Sequence, residues 1–399
     1  MVTTGRVAVI GGSLGGLTAA LVLRDAGFDV TIHERSGTVL EERGAGIGFL
    51  PDSARYLVER AKVDLDDISI STERIRYLAR DGSITHDIAQ PYRFSSWNTI
   101  YRSLLACFGR DRYRLGHEAI GHVPADDHVV DDHVEVQFAD GPSEPVDLLV
   151  CADGIGSGFR SRLIPEATRR YAGYVAWRGM VPEARLEPAD AAALSDAITY
   201  HVFANSHILV YPIPGFDGSV EPGRRLINYV WYRNYLAGDD LDDVLTDESG
   251  ARRELSLPPG IARADHVAEV RATAAARLPR LIANVVTGVE QPFVQVIYDV
   301  EVPRMAFGRT CLVGDAAWVV RPHAAAGTAK AAADGWALAD ALAQHESVPE
   351  ALIAYEREQM ELGRQLLERT RRIGTHSQVT CTWDPRDPEL VFGLREPGR

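Results

Sequence analysis

Residues 309–335, RTCLVGDAAWVVRPHAAAGTAKAAADG, set a carboxylate, a proline, a histidine and a glycine between an apolar run and an alanine-rich segment that reads as helix. Cys311-Leu312-Val313 reads as a buried strand, so Asp315 falls at its carboxyl end, where open α/β sheets place ligands. A carboxylate there can accept hydrogen bonds from a polyol. Pro322 lacks an N–H and stiffens the loop, and Gly327 lets the backbone approach a flat ring. The helix that follows points its N-terminus at that ring and would stabilise negative charge on it by about 0.3–1 kcal/mol. His323 has two readings. With an ordinary pKa of about 6.5 it could deprotonate or orient a hydroxylated ring, or it could cap its own loop through the backbone.

A second cluster opens the chain. RVAVI (6–10) reads as a buried strand, GGSLGG (11–16) as a tight turn, LTAALVLRDAG as an amphipathic helix ending at Gly27, and DVTIHE as a second strand closing at Glu34. Backbone N–H groups at such a helix start can face a pyrophosphate. Glu34, 23 residues after Gly11, stands near the spacing at which an acid reaches ribose hydroxyls. In the G-x-G-x-x-G register the positions are Gly11, Ser13 and Gly16; the serine hydroxyl can donate to phosphate. A further glycine cluster, Gly44, Gly46 and Gly48, interrupts the pattern where a plain NAD domain would add another parallel strand. That favours a flavin dinucleotide, whose longer body needs extra backbone approaches. In VDLLVCADGIGSGFRSRL (146–163) a strand meets Asp153-Gly154 and then a helix start with Arg160. Position 159 is Phe, so this is a strand-to-helix turn and not a second fingerprint.

The elements around these motifs are of two kinds. Residues 171–232 (YVAWRGMV, AITYHVF, HILVYPI, RLINYVWYR) alternate and are rich in aromatics, as in an antiparallel sheet that lies over the flavin and walls a pocket. His207, Leu209 and Tyr211 share one face, as do Tyr200 and Val202. The pattern does not fix which face sees the flavin. Arg178 and Arg321 could balance a substrate anion or form ordinary ion pairs. Residues 346–373 read as a charged amphipathic helix, followed by a Pro/Gly-rich tail expected to follow the surface or to serve as a homodimer contact.

The chain of 399 residues, 46% hydrophobic, can fill two or three domains. Its 42 Lys+Arg against 56 Asp+Glu give a net charge of -14, which argues against nucleic acid. No apolar run reaches the roughly 18 residues of a membrane span. Four cysteines without a CxxC pair, of which Cys151 and Cys311 fall in apolar runs, suit free thiols in a reducing compartment. A cytoplasmic protein without a membrane partner is expected. The stretch 124–136, with His128 and His133 among four aspartates, reads as a polar turn and edge strand, so no metal is expected.

The order GGSLGG…Glu34, then ADG, then GDAA-x4-P-x4-G resembles the single-component FAD-dependent aromatic hydroxylases, the para-hydroxybenzoate hydroxylase-like group. The resemblance runs to about residue 370. Within that group YAGYVAWRG (171–179), HILVYPIPG (207–215) and RPHAAAGTAK (321–330) are most similar to the branch that 3-hydroxylates 2,6-dihydroxypyridine. The fold it implies is α/β: a Rossmann-like FAD-binding domain with an inserted antiparallel-sheet substrate domain and a C-terminal helix. The segments would be 1–75, 101–170 and 276–345 for FAD, 76–100 and 171–275 for substrate, and 346–399 for the helix and tail.

Carried over by position, Gly11, Ser13, Leu14 and Gly16 would hold the pyrophosphate and Glu34 the adenosine ribose. Arg102 would contact FAD, Asp153 would serve flavin and nicotinamide, and Asp315 would hold the ribityl chain. Arg35, Ala325, Gly327 and Thr328 complete the cofactor set. His323, Pro322, Tyr211 and His207 form the catalytic set, with Pro322 bordering the flavin oxygenation site. Trp318 stands where the family often has His after GDAA, and Ala325 replaces one of its usual glycines.

The implied reaction uses NADH or NADPH and O2. Oxygen adds at flavin C4a as a hydroperoxide, which hydroxylates a small electron-rich hydroxylated N-heteroaromatic or phenol. With one dinucleotide fingerprint, the nicotinamide would bind transiently on the flavin domain. Two other readings stand beside it: an epoxidase or Baeyer-Villiger-type oxygenase of larger natural products, and a non-catalytic flavin-binding regulator.

Overall fold

Strand Arg6–Ile10 is apolar almost throughout because it has parallel neighbours on both sides, Leu148–Cys151 and Asp29–Glu34. Thr310–Leu312 extends the sheet beyond Leu148–Cys151, and Tyr113–Leu115 extends it beyond Asp29–Glu34. Ala306–Phe307 adds a short antiparallel edge. Parallel strands end on the same side, so GGSLGG, Glu34, Asp153 and Asp315, far apart in sequence, all follow the carboxyl ends of adjacent strands. This computed structural model describes residues 2, 4–41, 45–123 and 133–399. Gly44, and His128 with most of the 124–136 stretch, lie outside the described residues.

The helices on this sheet pack closely because their contact residues are small. Leu14–Asp25 lies against Gly327–Gln344, and a Cβ on Gly335 would stand 2.9 Å from the Ala19 Cα. The alanine run of 329–341 thus serves contact distance as well as helix propensity.

A nine-stranded sheet forms the second layer, antiparallel except where Ala197–Phe203 lies parallel to Ile70–Leu78. Its alternation sorts two faces. Trp177, Ile208, Val210, Tyr229 and Trp231 pack under helices Ala264–Arg277 and Arg280–Gly288. Tyr174, Tyr200, Leu209, Tyr211 and Tyr232 pack towards the Pro322–Gly327 loop. The sheet also draws in Gly46–Gly48 and Phe293–Asp299, from outside the segments 76–100 and 171–275. A three-residue edge strand carries no pattern that could announce it.

The terminal helix runs from Val348 to Gln378, with the Ser347 hydroxyl accepting from the Glu350 N–H. The tail beyond it follows the surface as expected as far as Val391 and then departs from that course. Phe392 and Leu394 are buried, and Phe392 stacks on Tyr92 at 4.5 Å. Arg369 makes this possible by donating to the carbonyls of Glu389, Val391 and Gly393, which would otherwise be stranded. The buried apolar side chains of the tail, Phe392 and Leu394, are used within the chain.

Cys151 and Cys311 are buried free thiols, Cys107 is half-buried and Cys381 is exposed. His133 pairs at the surface with Glu135. Among the described residues no three His, Cys, Asp or Glu side chains gather as metal ligands, and no helix is long and apolar enough to cross a membrane.

Candidate active site

Crowding explains the glycines of the first turn. Gly11 has φ 100°, and a Cβ there would lie 2.4 Å from the Ala152 carbonyl oxygen; one on Gly16 would lie 1.9 Å from that of Gly11. At Gly12 the Tyr113 ring fills the space of a side chain. The Tyr113 hydroxyl donates to Gly12 O at 2.8 Å and meets that of Tyr101 at 3.2 Å. Glu34 is buried and accepts from the N–H of Gly12 and of Ser36, each at 2.9 Å. Each oxygen keeps a second lone pair that a ribose hydroxyl could use. Ser13 occupies the N-cap position without a side-chain cap bond. The Leu14 side chain is buried in the core, so only its backbone can serve a ligand. Arg35 is exposed at the rim. Arg102 is engaged by Glu41 and by Phe216 O, tying the 214–225 turn to the strap before the second glycine cluster.

The other two motifs are held to each other. Asp153 accepts from Ser157 Oγ at 2.6 Å and from Phe159 N–H at 3.3 Å, so its carboxylate first orders its own turn; burial pushes its pKa up. Arg160, almost wholly buried, donates to the carbonyls of Asp315 (3.1 Å), Ala316 (3.0 Å) and Ile155 (2.6 Å), joining the second motif to the third. Beneath them Lys330 pairs with Asp334 at 2.6 Å, and Asp334 also accepts from Gly314 N–H at 2.7 Å. Neither Arg160 nor the Lys330–Asp334 pair belongs to the expected site set. A charged pair at i, i+4 inside an alanine run was the one signal that could have found the latter.

Asp315 itself accepts no hydrogen bond among the described residues. Its carboxylate is open to the cleft but enclosed on its other sides. That enclosure pushes its pKa up to about 6, against the pull of Lys330 and Arg160. Ala325 takes the left-handed conformation (φ 55°), and a Cβ on Gly327 would meet nothing within 4 Å. Thr328 is half-buried in the first turn of the same helix. Across the cleft Gly46 is fixed by three side chains of the large sheet: its N–H by Asn228 (3.1 Å), its carbonyl by Tyr211 (3.0 Å) and Arg178 (2.6 Å). A glycine-lined helix start, a buried acid at the second strand end, an unbonded carboxylate at the third and open space at Gly327 together fit an FAD.

The catalytic candidates meet on the aromatic face. Pro322 is exposed and opens a short 3-10 turn; His323 behind it is buried. His323 Nε2 lies 2.7 Å from the Tyr174 hydroxyl, and its Nδ1 has no partner. The ring therefore reaches across to the sheet and does not cap its own loop. His207 lies 5.4 Å from it, ring to ring, and Tyr232 at 4.8 Å. Burial lowers the pKa of His207 to about 3 and that of His323 well below its ordinary value, so both rings are neutral at neutral pH. Tyr211 sits further along the face, stacked on Phe94 at 4.2 Å. Trp318, in place of the family histidine, is buried where Gly363 of the terminal helix leaves a notch for its indole.

His33, next to Glu34, is buried with its Nδ1 2.7 Å from that of His117; burial, then His117 and Arg114, lower its pKa to about 3. The unfolded chain therefore binds a proton here below the ordinary histidine pKa and the folded chain does not, so stability falls as pH falls from about 6.5 towards about 3. Going from pH 7 to pH 5 should cost about 2 kcal/mol through this residue. Urea midpoints across that range will show it, and His33→Leu should flatten the slope by close to one proton.

Comparison with known proteins agrees with this geometry. A family profile described as FAD binding domain-like matches residues 171–299, and one described as FAD binding domain matches residues 268–370. The 2,6-dihydroxypyridine 3-monooxygenase of Paenarthrobacter nicotinovorans is 35% identical, over 98% of this chain and 96% of that protein. The 6-hydroxynicotinate 3-monooxygenase of Bordetella bronchiseptica is 25% identical, over 82% of this chain and 80% of that one. The solved structure of the 2,6-dihydroxypyridine-3-hydroxylase from Arthrobacter nicotinovorans superposes with a TM-score of 0.92 at 33% identity, covering 100% of this chain and 98% of that one.

Proposed function

This chain belongs to the FAD-binding monooxygenase family, and from that premise we propose that it hydroxylates a small, electron-rich, hydroxylated N-heteroaromatic ring, with 2,6-dihydroxypyridine as the first candidate. The observation that carries the substrate class is that no arginine at the pocket is without hydrogen-bond partners among the described residues. Arg178 is spent on Gly46 O and Gln295, and Arg321 is paired through two bonds of 3.0 Å with Asp299. A benzoate-type carboxylate would have to draw Arg178, whose partners are the neutral Gly46 O and Gln295, away from Gly46, which is costly. A hydroxylated ring needs only acceptors and donors of the kind His323, His207 and Tyr232 offer.

When bound, the flavin supplies electron transfer from NADH or NADPH and the activation of O2. The chain's own residues do the rest. Gly11, Ser13 and Gly16 seat the pyrophosphate on the first helix start, Glu34 takes the adenosine ribose and Asp315 the ribityl hydroxyls. The start of helix Gly327–Gln344 favours negative charge on the ring it faces. His323 Nδ1 accepts a hydrogen bond from a ring hydroxyl, drawing electron density into the ring, and the aromatic wall excludes water. Arg102 reaches the cofactor only by yielding Glu41. Four free thiols suit a cytoplasmic location.

The test is oxidation of NADH and NADPH with a panel of rings, followed by incorporation of labelled oxygen into product. Strong stimulation by dihydroxypyridines and little by hydroxybenzoates is expected. Stimulation by carboxylated rings alone, or by none of the panel, overturns the reading.

A further inference from the structure

A cavity of about 560 Å³ lies outside the site described so far, between the large sheet and the start of the tail. Tyr77, Arg80, His86, His201, Cys381 and Trp383 are among its lining residues. Polar groups with aromatic walls suit a hydroxylated ring in transit. Trp383 belongs to both spaces. It faces this cavity, and its ring centroid lies 4.8 Å from that of His207, which in turn is 5.4 Å from His323. One indole thus separates the cavity from the buried histidine pair. Further along the aromatic face the rings stack on one another, Tyr92 on Phe392 and Phe94 on Tyr211.

The chain around Trp383 is tied to the terminal helix one residue before the indole, where the Thr382 N–H donates to His376 O at 2.9 Å, so opening needs only a swing of the Trp383 side chain. The segment belongs to no helix or strand, between the end of the terminal helix at Gln378 and the short turn at Pro388. Both flanks are tied down. Asn205 and Asn234 donate to Gln378 O at 2.9 and 2.8 Å, and Arg369 grips the carbonyls of residues 389–393. Between the two anchors lies a span with a single bulky aromatic.

We propose that this cavity is the vestibule by which the substrate reaches His207 and His323, and that Trp383 is its door. The proposal rests on the substrate class argued above.

Cys381 lines the vestibule and is exposed, so it offers a handle for the test. Holoenzyme is alkylated with N-pyrenylmaleimide and mixed rapidly with 2,6-dihydroxypyridine, and the flavin absorbance change is followed. Association should slow by about tenfold or more, with FAD content and substrate-free NAD(P)H oxidation unchanged. Cys381→Ser protein should be indifferent to the reagent, and the small S-methyl adduct of Cys381 should leave the rate unaltered. Trp383→Ala should speed association and dissociation together. A pyrenyl adduct that binds at the unmodified rate, or an S-methyl adduct that slows binding equally, overturns the vestibule. If unmodified holoenzyme shows no flavin response to any hydroxylated N-heteroaromatic, the substrate reading fails, and the vestibule for that class fails with it.

Discussion

Gly16→Ala protein is expected to purify without flavin and with a weakened fold. The new methyl would stand 1.9 Å from Gly11 O, far inside contact distance. Gly11 cannot retreat. Its own Cβ position is pressed to 2.4 Å from Ala152 O, its N–H donates to His33 O at 2.9 Å, and Ala152 is bonded back to Ile10 O at 2.8 Å. The first helix would have to lift off the sheet, and with it the close packing of Ala19 on Gly335. Overpacking a tight interior typically costs about 1–3 kcal/mol. Here the blocked atoms are all backbone, so the upper end applies. Gly327→Ala separates the two effects, since its Cβ would meet nothing within 4 Å. Compared as flavin-free protein, that variant should unfold at the parental midpoint yet retain FAD poorly, because the methyl projects into the space assigned to the ring. The ratio of 450 nm to 280 nm absorbance and a thermal melt read both. A yellow Gly16→Ala protein with a normal midpoint would contradict the account of the turn.

The contrast between these glycines shows what the sequence could disclose. GGSLGG and Glu34 were legible because a phosphate-binding turn is local chemistry within one βαβ unit. Convergence with Asp153 and Asp315 followed once each was placed at the end of a parallel strand. The aromatic sheet was legible as alternation, but its orientation was not. Trp177 and Trp231 make one face as apolar as Tyr174 and Tyr232 make the other, and only the two helices covering the tryptophans decide between them. Tyr113, Arg160 and Tyr174 act through partners 101, 155 and 149 residues away, at separations that carry no periodic signal. The end of the tail misled because its buried part is the short run Phe392–Leu394, and the residue that makes burial tolerable, Arg369, lies in the helix before it. Arg102 matched a family position, yet its guanidinium is held by Glu41 and Phe216, a pairing that no motif encodes.

Loss of the His323 ring should reduce turnover by about 10²–10³-fold, within the usual range for a positioned acid–base group. The geometry makes the prediction specific. His323 Nδ1 is buried without a partner, while Nε2 meets the Tyr174 hydroxyl at 2.7 Å. For Nδ1 to accept from a ring hydroxyl, Nε2 must carry the hydrogen and donate it to the tyrosine oxygen. Tyr174 is therefore a positioning residue that selects the tautomer. Its own oxygen is steadied by Arg321, whose guanidinium carbon lies 5.7 Å from the ring and which is itself fixed by Asp299. In His323→Ala, kcat should fall with FAD content unchanged and KM far less affected. Tyr174→Phe should lose about twofold, because half of the imidazoles can then present a donor where an acceptor is needed. The pH profile separates this arrangement from a freely titrating base. Burial keeps His323 neutral from well below its ordinary pKa upwards, so lowering the pH through about 6.5 should not protonate it. The rising limb of kcat against pH should instead track the ionisation of the ring hydroxyl and move when substrates of different acidity are compared. A limb fixed near about 6.5 for every substrate, and abolished in His323→Ala, would show an imidazole that titrates in the working range and would refute the neutral acceptor.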